Sequence, residues 1–157
     1  MRDILLFDVE GTLTREGQPI DREMVNTLRN LNTYFHILSS SYTEQLIDQF
    51  FSPMYQHGYR GDFIAFPCSG AATYRCLYTD LMHIRRKEFA GEQDKTRPVR
   101  KLAEQYVRRV VFIGNISGDN NIVKLFIDKN PELNCEYHDV NDYKETIELL
   151  KDKEYVK

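Results

Sequence analysis

Asp8 and Glu10 stand two residues apart at the end of the apolar run Ile4 to Phe7, and Gly11, Thr12, Leu13 and Thr14 follow at once. An ionised carboxylate at the end of a buried strand is costly unless a metal ion, a cation or backbone amides hold it, so a retained pair points to chemistry. Phosphoryl transfer through an aspartyl-phosphate needs such a pair. One carboxylate attacks phosphorus, while a second acid protonates the leaving oxygen and later activates water. That chemistry implies magnesium, because an anionic nucleophile approaches an anionic phosphoryl group only when charge is neutralised between them.

Other polar residues end apolar runs in the same way. Ser39, Ser40 and Ser41 close "YFHIL", and Asn115 to Asn121 follow "RVVFIG". Short continuous apolar runs are the pattern of strands buried on both faces. Between them lie helical patterns: Asp21 as N-cap before Met24, Val25, Leu28 and Leu31; Thr43 as cap before Leu46, Ile47, Phe50 and Phe51. "DFIAFPCSG" reads as a third strand closed by Pro and Gly. Residues 71–93 are read either as a hairpin around Tyr74 to Leu77 or as a short helix through Leu81 to Lys87. A helix is expected from Thr96, with Pro98 in its first turn and Val99, Leu102, Ala103 and Tyr106 on one face. "NNIVKLFID" reads as helix, "CEYHDV" as a last short strand, and Tyr143 to Lys151 as a terminal helix.

Alternating strands and helices predict an α/β domain with a mainly parallel sheet flanked by helices. In such sheets the ligand crevice lies beyond the carboxyl ends of the strands. The polar residues that end the runs are therefore expected to meet at one edge.

With 157 residues, 41% of them hydrophobic, the chain fits one domain spanning 1–157. A formal net charge of −3 gives no general electrostatic grip on nucleic acid or on an anionic membrane. Two basic runs, Arg85 to Lys87 and Arg97 to Arg109, are read as solvated helix faces, with a local basic patch as the alternative. Cys68, Cys76 and Cys135 show no paired spacing, which argues against a zinc site or a disulfide framework and for reduced thiols in a cytoplasmic protein. Neither a secretory signal nor a bilayer-spanning stretch is visible. His36, His57, His83 and His138 share no helical spacing and are read as structural or surface residues.

The stretch "FDVEGTLT" resembles the first motif of the haloacid dehalogenase-like superfamily, D-x-D-G-T, and "LLFDVEGTLTREGQPI" looks most like the start of eukaryotic-type phosphomannomutases. "ILSSSYTEQLIDQF" is similar to that family's second-motif strand and helix, "DFIAFPCSGAATYR" to its "YVFPENG" region, "QDK" to the place of its third-motif lysine, and "FIGNISGDNNIVKLF" to its fourth motif. The resemblance implies a Rossmann-like core with Asp8 as nucleophile and Glu10 as general acid/base. It implies a phosphate-binding hydroxyl among Ser39, Ser40 and Ser41, with Ser39 first and Ser41 second, and Lys95 as the neutralising cation. It implies magnesium held by Asp8, Glu10, Asn115, Asp119 and Asn121.

The chain also departs from the family's pattern. Between Tyr74 and Asp94 only a short segment, 71–94, stands where phosphomannomutases insert a cap domain, so mutase activity is not expected. Gly17 occupies the place of the family's substrate-gripping arginine. Glu10 replaces the second aspartate of the motif, as in enolase-phosphatases of the same superfamily. Asn115 and Asn121 stand where the fourth motif carries acids.

Two functions follow from these features. One is a magnesium-dependent phosphatase with a minimal cap, open to a small or macromolecular phosphorylated substrate, or closed by a neighbouring subunit. Nucleic acid enters only as such a substrate. The other is a catalytically degenerate descendant acting as a binding or regulatory module.

Overall fold

Ile4–Phe7 forms β1, and all four of its side chains are fully buried, as a strand covered on both faces requires. Each such burial stabilises by roughly 1.5–3 kcal/mol, which fixes β1 inside the sheet. The computed structural model describes residues 3–105, 108–115 and 120–156. After β1 come α1 (Arg22–Arg29), β2 (Phe35–Leu38), α2 (Thr43–Leu46), α3 (Ser52–Gln56), β3 (Gly61–Phe66), β4 (Ala72–Tyr78) and β5 (Met82–Phe89). Then follow α4 (Thr96–Gln105), β6 (Val110–Asn115), α5 (Asn120–Lys129), β7 (Cys135–Val140) and α6 (Tyr143–Asp152).

The seven strands form one sheet in the order β5-β4-β3-β2-β1-β6-β7. Pairings from β3 across to β7 are parallel, and β4 and β5 extend the sheet antiparallel. The chain moves outward from β1 through β2 and β3, then returns to the other side of β1 as β6. Strand order therefore reverses at β1, and in open α/β sheets the ligand crevice lies beyond the carboxyl end of the strand at that point. This is an α/β architecture with a mostly parallel sheet and helices on its faces, compatible with a Rossmann-like fold.

On one face Leu5, Phe7, Ile37 and Ala65 pack under Met24, Val25 and Leu28 of α1 and Ile147 and Leu150 of α6. Asp21 starts α1 as expected, its Oδ1 accepting from the Met24 amide at 2.9 Å. Phe35 stacks on Phe63 with ring centroids 5.3 Å apart, and Tyr78 lies 5.5 Å from Phe63. On the other face Leu6, Leu38 and Phe66 meet Val99 and Leu102 of α4 and Val123 and Ile127 of α5. Tyr106, expected on the inner face of α4, lies outside the described residues.

Three local expectations are corrected. Residues 72–89 are two strands of the main sheet, so the helix through Leu81 to Lys87 does not form. The reason is a two-residue period: Tyr74, Cys76 and Tyr78, then Met82 and Ile84, turn to the aromatic core, and the Tyr78 hydroxyl donates to the Phe51 carbonyl at 2.8 Å. Arg85, Arg86 and Lys87 accordingly lie on a strand and not on a helix face. Thr43 is the first residue of α2 rather than its cap; Gln45 Oε1 instead accepts from the Tyr42 amide at 2.9 Å. A π-helical turn, Ile47–Phe51, joins α2 to α3 and carries Phe50 and Phe51 into the core. No described helix is long and apolar enough to cross a membrane.

Candidate active site

Asp8 is the first residue beyond β1, and its amide donates to the Ile113 carbonyl of β6 at 3.0 Å. The strand-order reversal thus sets the carboxylate at the mouth of the crevice, yet only 7% of the residue is exposed. Its Oδ2 accepts from Asn120 Nδ2 at 3.0 Å, with Thr12 Oγ1 at a longer 3.5 Å. Lys95, 6% exposed, donates from Nζ to Asn120 Oδ1 at 2.9 Å. Asn120 therefore stands between cation and anion, its amino group turned to the carboxylate and its carbonyl to the ammonium. Burial raises the Asp8 pKa, while the Lys95 charge, Asn120, the Val9 amide and Thr12 pull it back.

The backbone around this trio is closely fitted. Asn120 Nδ2 also donates to the Asn115 carbonyl at 3.0 Å, so both of its hydrogens are engaged. Asn115 Nδ2 donates to the Gly11 carbonyl at 3.3 Å and to the Asn141 carbonyl at 3.0 Å. Gly11 has φ +75°, and a Cβ there would lie 2.9 Å from Asn115 Nδ2. Glycine at position 11 is therefore required both by conformation and by the close approach of Asn115.

Glu10 is exposed and turned to its own loop, where its Oε1 accepts from the Gly17 amide at 2.8 Å. Ser39 is 2% exposed at the end of β2. Its Oγ accepts from the Ser41 amide at 3.0 Å, an ST-turn that leaves the hydroxyl proton available to an acceptor. Ser40 is exposed and Ser41 half-buried. The loop after β3 is bound to this corner: Cys68 N donates to the Ser41 carbonyl at 2.9 Å, and Ser69 N to the Ser39 carbonyl at 2.8 Å. Asp94 N then donates to the Ser69 carbonyl at 2.8 Å, which carries the connection to the residue before Lys95. Cys68 and Ser69 both hold positive φ, 54° and 52°, a conformation that costs non-glycine residues on the order of 1–3 kcal/mol each.

The crevice thus brings together Asp8, Lys95 and Asn120, with Ser39 linked to them through Ser69 and Asp94. Asn121 is exposed on the outer side of α5, and Asp119 lies outside the described residues. Asn120 is the residue that sequence reasoning passed over in favour of Asn121. The helical period carried the signal: Asn120 precedes the buried Val123 and Ile127 by three and seven residues.

The donor set bears on magnesium directly. Among the described residues no group of three His, Cys, Asp or Glu side chains converges. Of the expected ligands Asp8 is the one described carboxylate at the centre, because Glu10 is bound to Gly17. Asn120 turns an NH2 group, not an oxygen, toward Asp8. Magnesium prefers several hard oxygen ligands, and the described residues do not supply them.

No family model matches this chain, and no curated protein matches it.

Proposed function

We propose that the chain is a phosphomonoester hydrolase of the haloacid dehalogenase type, with Asp8 as the nucleophile. The observation that carries this reading is the buried Asp8–Asn120–Lys95 chain at the strand-order reversal, where a lone structural carboxylate would gain nothing from burial. Asp8 attacks phosphorus, a phosphorus–oxygen bond forms, and the ester bond to the leaving oxygen breaks. That oxygen takes a proton from Glu10, which must first release the Gly17 amide. Water then hydrolyses the acyl phosphate, freeing phosphate and restoring Asp8. Lys95 offsets the negative charge gathered in the crevice, and the Ser39 hydroxyl donates to a phosphoryl oxygen. The substrate is a phosphate ester, and an open crevice admits a macromolecular one.

A second reading, a catalytically degenerate binding module, is favoured by two contacts. Glu10 is already satisfied by Gly17, and Asn120 occupies one of the two carboxylate oxygens of Asp8. Hydrolysis of para-nitrophenyl phosphate with and without magnesium, beside Asp8→Asn, separates the two. Turnover that Asp8→Asn abolishes is expected. Turnover that survives Asp8→Asn, or none at millimolar magnesium, favours the second reading.

A further inference from the structure

On the sheet face that α4 and α5 cover, their core takes in Ile64 and Phe66 of β3 but no described residue of β4 or β5. A groove of about 910 Å³ runs there beside α4, and it shares no residue with the Asp8 crevice. Four cations line it, Arg75, Lys87, Lys101 and Arg108, against one anion, Asp62, although the whole chain carries a net −3. Arg75 and Lys101 are held in half-exposed pairs with Asp62 at 3.8 Å and Glu88 at 3.0 Å, pairs weak enough to exchange for a better anion. Lys87 is exposed and makes no ion pair among the described residues.

The floor has an unmet donor. His36 lines the groove at 7% exposure, and its Nδ1 accepts from the Ile64 amide at 3.0 Å. The other nitrogen, Nε2, then carries the ring proton, and it is buried without a partner. An unpaired buried donor is costly; Nε2 is covered, so a ligand acceptor completes it as a neighbouring groove side chain shifts aside. Burial also lowers the His36 pKa to about 4, which keeps the ring neutral and Nε2 a plain donor at neutral pH. At one end Tyr34 is 61% exposed, with the Arg108 guanidinium over its ring at 5.9 Å from the centroid, and the open edge of this pair offers flat surface on which a planar ring stacks.

We infer that this groove binds a nucleoside phosphate, its base stacked at Tyr34 and Arg108, its phosphate on Lys87 and Lys101, and a polar atom of the ligand over His36. The volume lies within the range of small-ligand sites, and the chain's net negative charge disfavours a long polyanion.

The test is calorimetric titration of AMP at low salt into the wild-type chain and into Asp8→Asn. AMP is expected to bind both equally, with inorganic phosphate at least about tenfold weaker. Tyr34→Ala and Lys87→Ala, both at exposed positions, should each weaken AMP about fivefold. Because removing the imidazole would also strip the Ile64 amide of its acceptor, His36 is read through its ring-nitrogen resonances, and Nε2 should shift on AMP addition. The proposal is overturned by no AMP binding up to millimolar concentration, by its loss in Asp8→Asn, or by equal affinity for phosphate. An unmoved Nε2 resonance, or tighter binding of a single-stranded hexanucleotide than of AMP, overturns it as well.

Discussion

Replacing Lys95 with methionine keeps the length and apolar volume of the side chain but removes a buried ammonium. Two things are lost. Asn120 Oδ1, 2.9 Å from Nζ, is left without its donor, at about 1–3 kcal/mol for a buried acceptor. Asp8 also loses the charge that counters its burial, and a buried ion left without its countercharge costs up to about 3–5 kcal/mol in total while it stays charged. The two losses separate with pH. Desolvation already raises the Asp8 pKa above 3.8 in the folded state. The stability linked to this group is therefore fully present below 3.8 and falls as pH rises through the folded value. Without Lys95 the folded value rises further. The deficit of Lys95→Met is thus expected to be about 1–3 kcal/mol at pH 4, from the orphaned acceptor alone. It should grow to about 3–5 kcal/mol at pH 8, where Asp8 must ionise or hold a proton unfavourably. For a chain of this size the larger figure is a fall in Tm of roughly 6–20 °C. Urea unfolding followed by circular dichroism from pH 4 to 8 measures both ends, and Asp8→Asn added to Lys95→Met should recover most of the pH-dependent part. A deficit that is flat with pH, or a double variant no more stable than the single one at pH 8, would refute the coupling of Lys95 to Asp8.

Asn120→Ala removes the bridge and should cost about 2–3 kcal/mol, whereas Asn121→Ala, one residue along and exposed, should stay within about 0.5 kcal/mol in the same denaturation assay. Gly11→Ala forces a side chain onto φ +75° and against Asn115 Nδ2; a loss of at least about 1–3 kcal/mol is expected, with phosphatase turnover falling alongside. Asp94 starts α4 by accepting from the Thr96 hydroxyl at 2.6 Å and amide at 2.9 Å, and these bonds hold its pKa below the usual value. Asp94→Ala should cost about 1 kcal/mol at neutral pH. Because the folded pKa is depressed, the wild-type advantage is present above pH 3.8 and disappears as pH falls through the lower folded value.

The elements were largely legible because apolar spacing follows burial. β1, α1, β6, α5 and α6 stand where their runs and caps predict them. Residues 71–93 were ambiguous because a half-exposed hairpin at a sheet edge alternates only weakly, and Arg85 to Lys87 fit a polar helix face as well as an edge strand. Asp8 and Ser39 could be read as a group because strand ends converge in a parallel sheet, whereas Lys95, which ends no strand, came only from the resemblance of its surroundings to a known motif. The Asn120 contact was missed because two adjacent asparagines are chemically alike, and only the helical phase against Val123 and Ile127 tells them apart. The turn of Glu10 toward Gly17 depends on the conformation of one loop, which no periodicity encodes. The groove at His36 was invisible because a histidine in an apolar strand gives no sign that one of its nitrogens lacks a partner.

The pairing of β1 with β6 has a consequence for how the molecule comes into being. Ile4 pairs with Val110, so the central strand waits for a partner made more than a hundred residues later. Closing so distant a contact is slow, since chain entropy must be lost before the pairing repays it. A chain emerging from the ribosome can lay β2 and β3 beside β1, but Asp8 gains neither Lys95 nor Asn120 until β6 and α5 have been synthesised. The carboxylate is therefore hydrated and chemically ordinary through most of synthesis, and the crevice appears only in the final step of assembly.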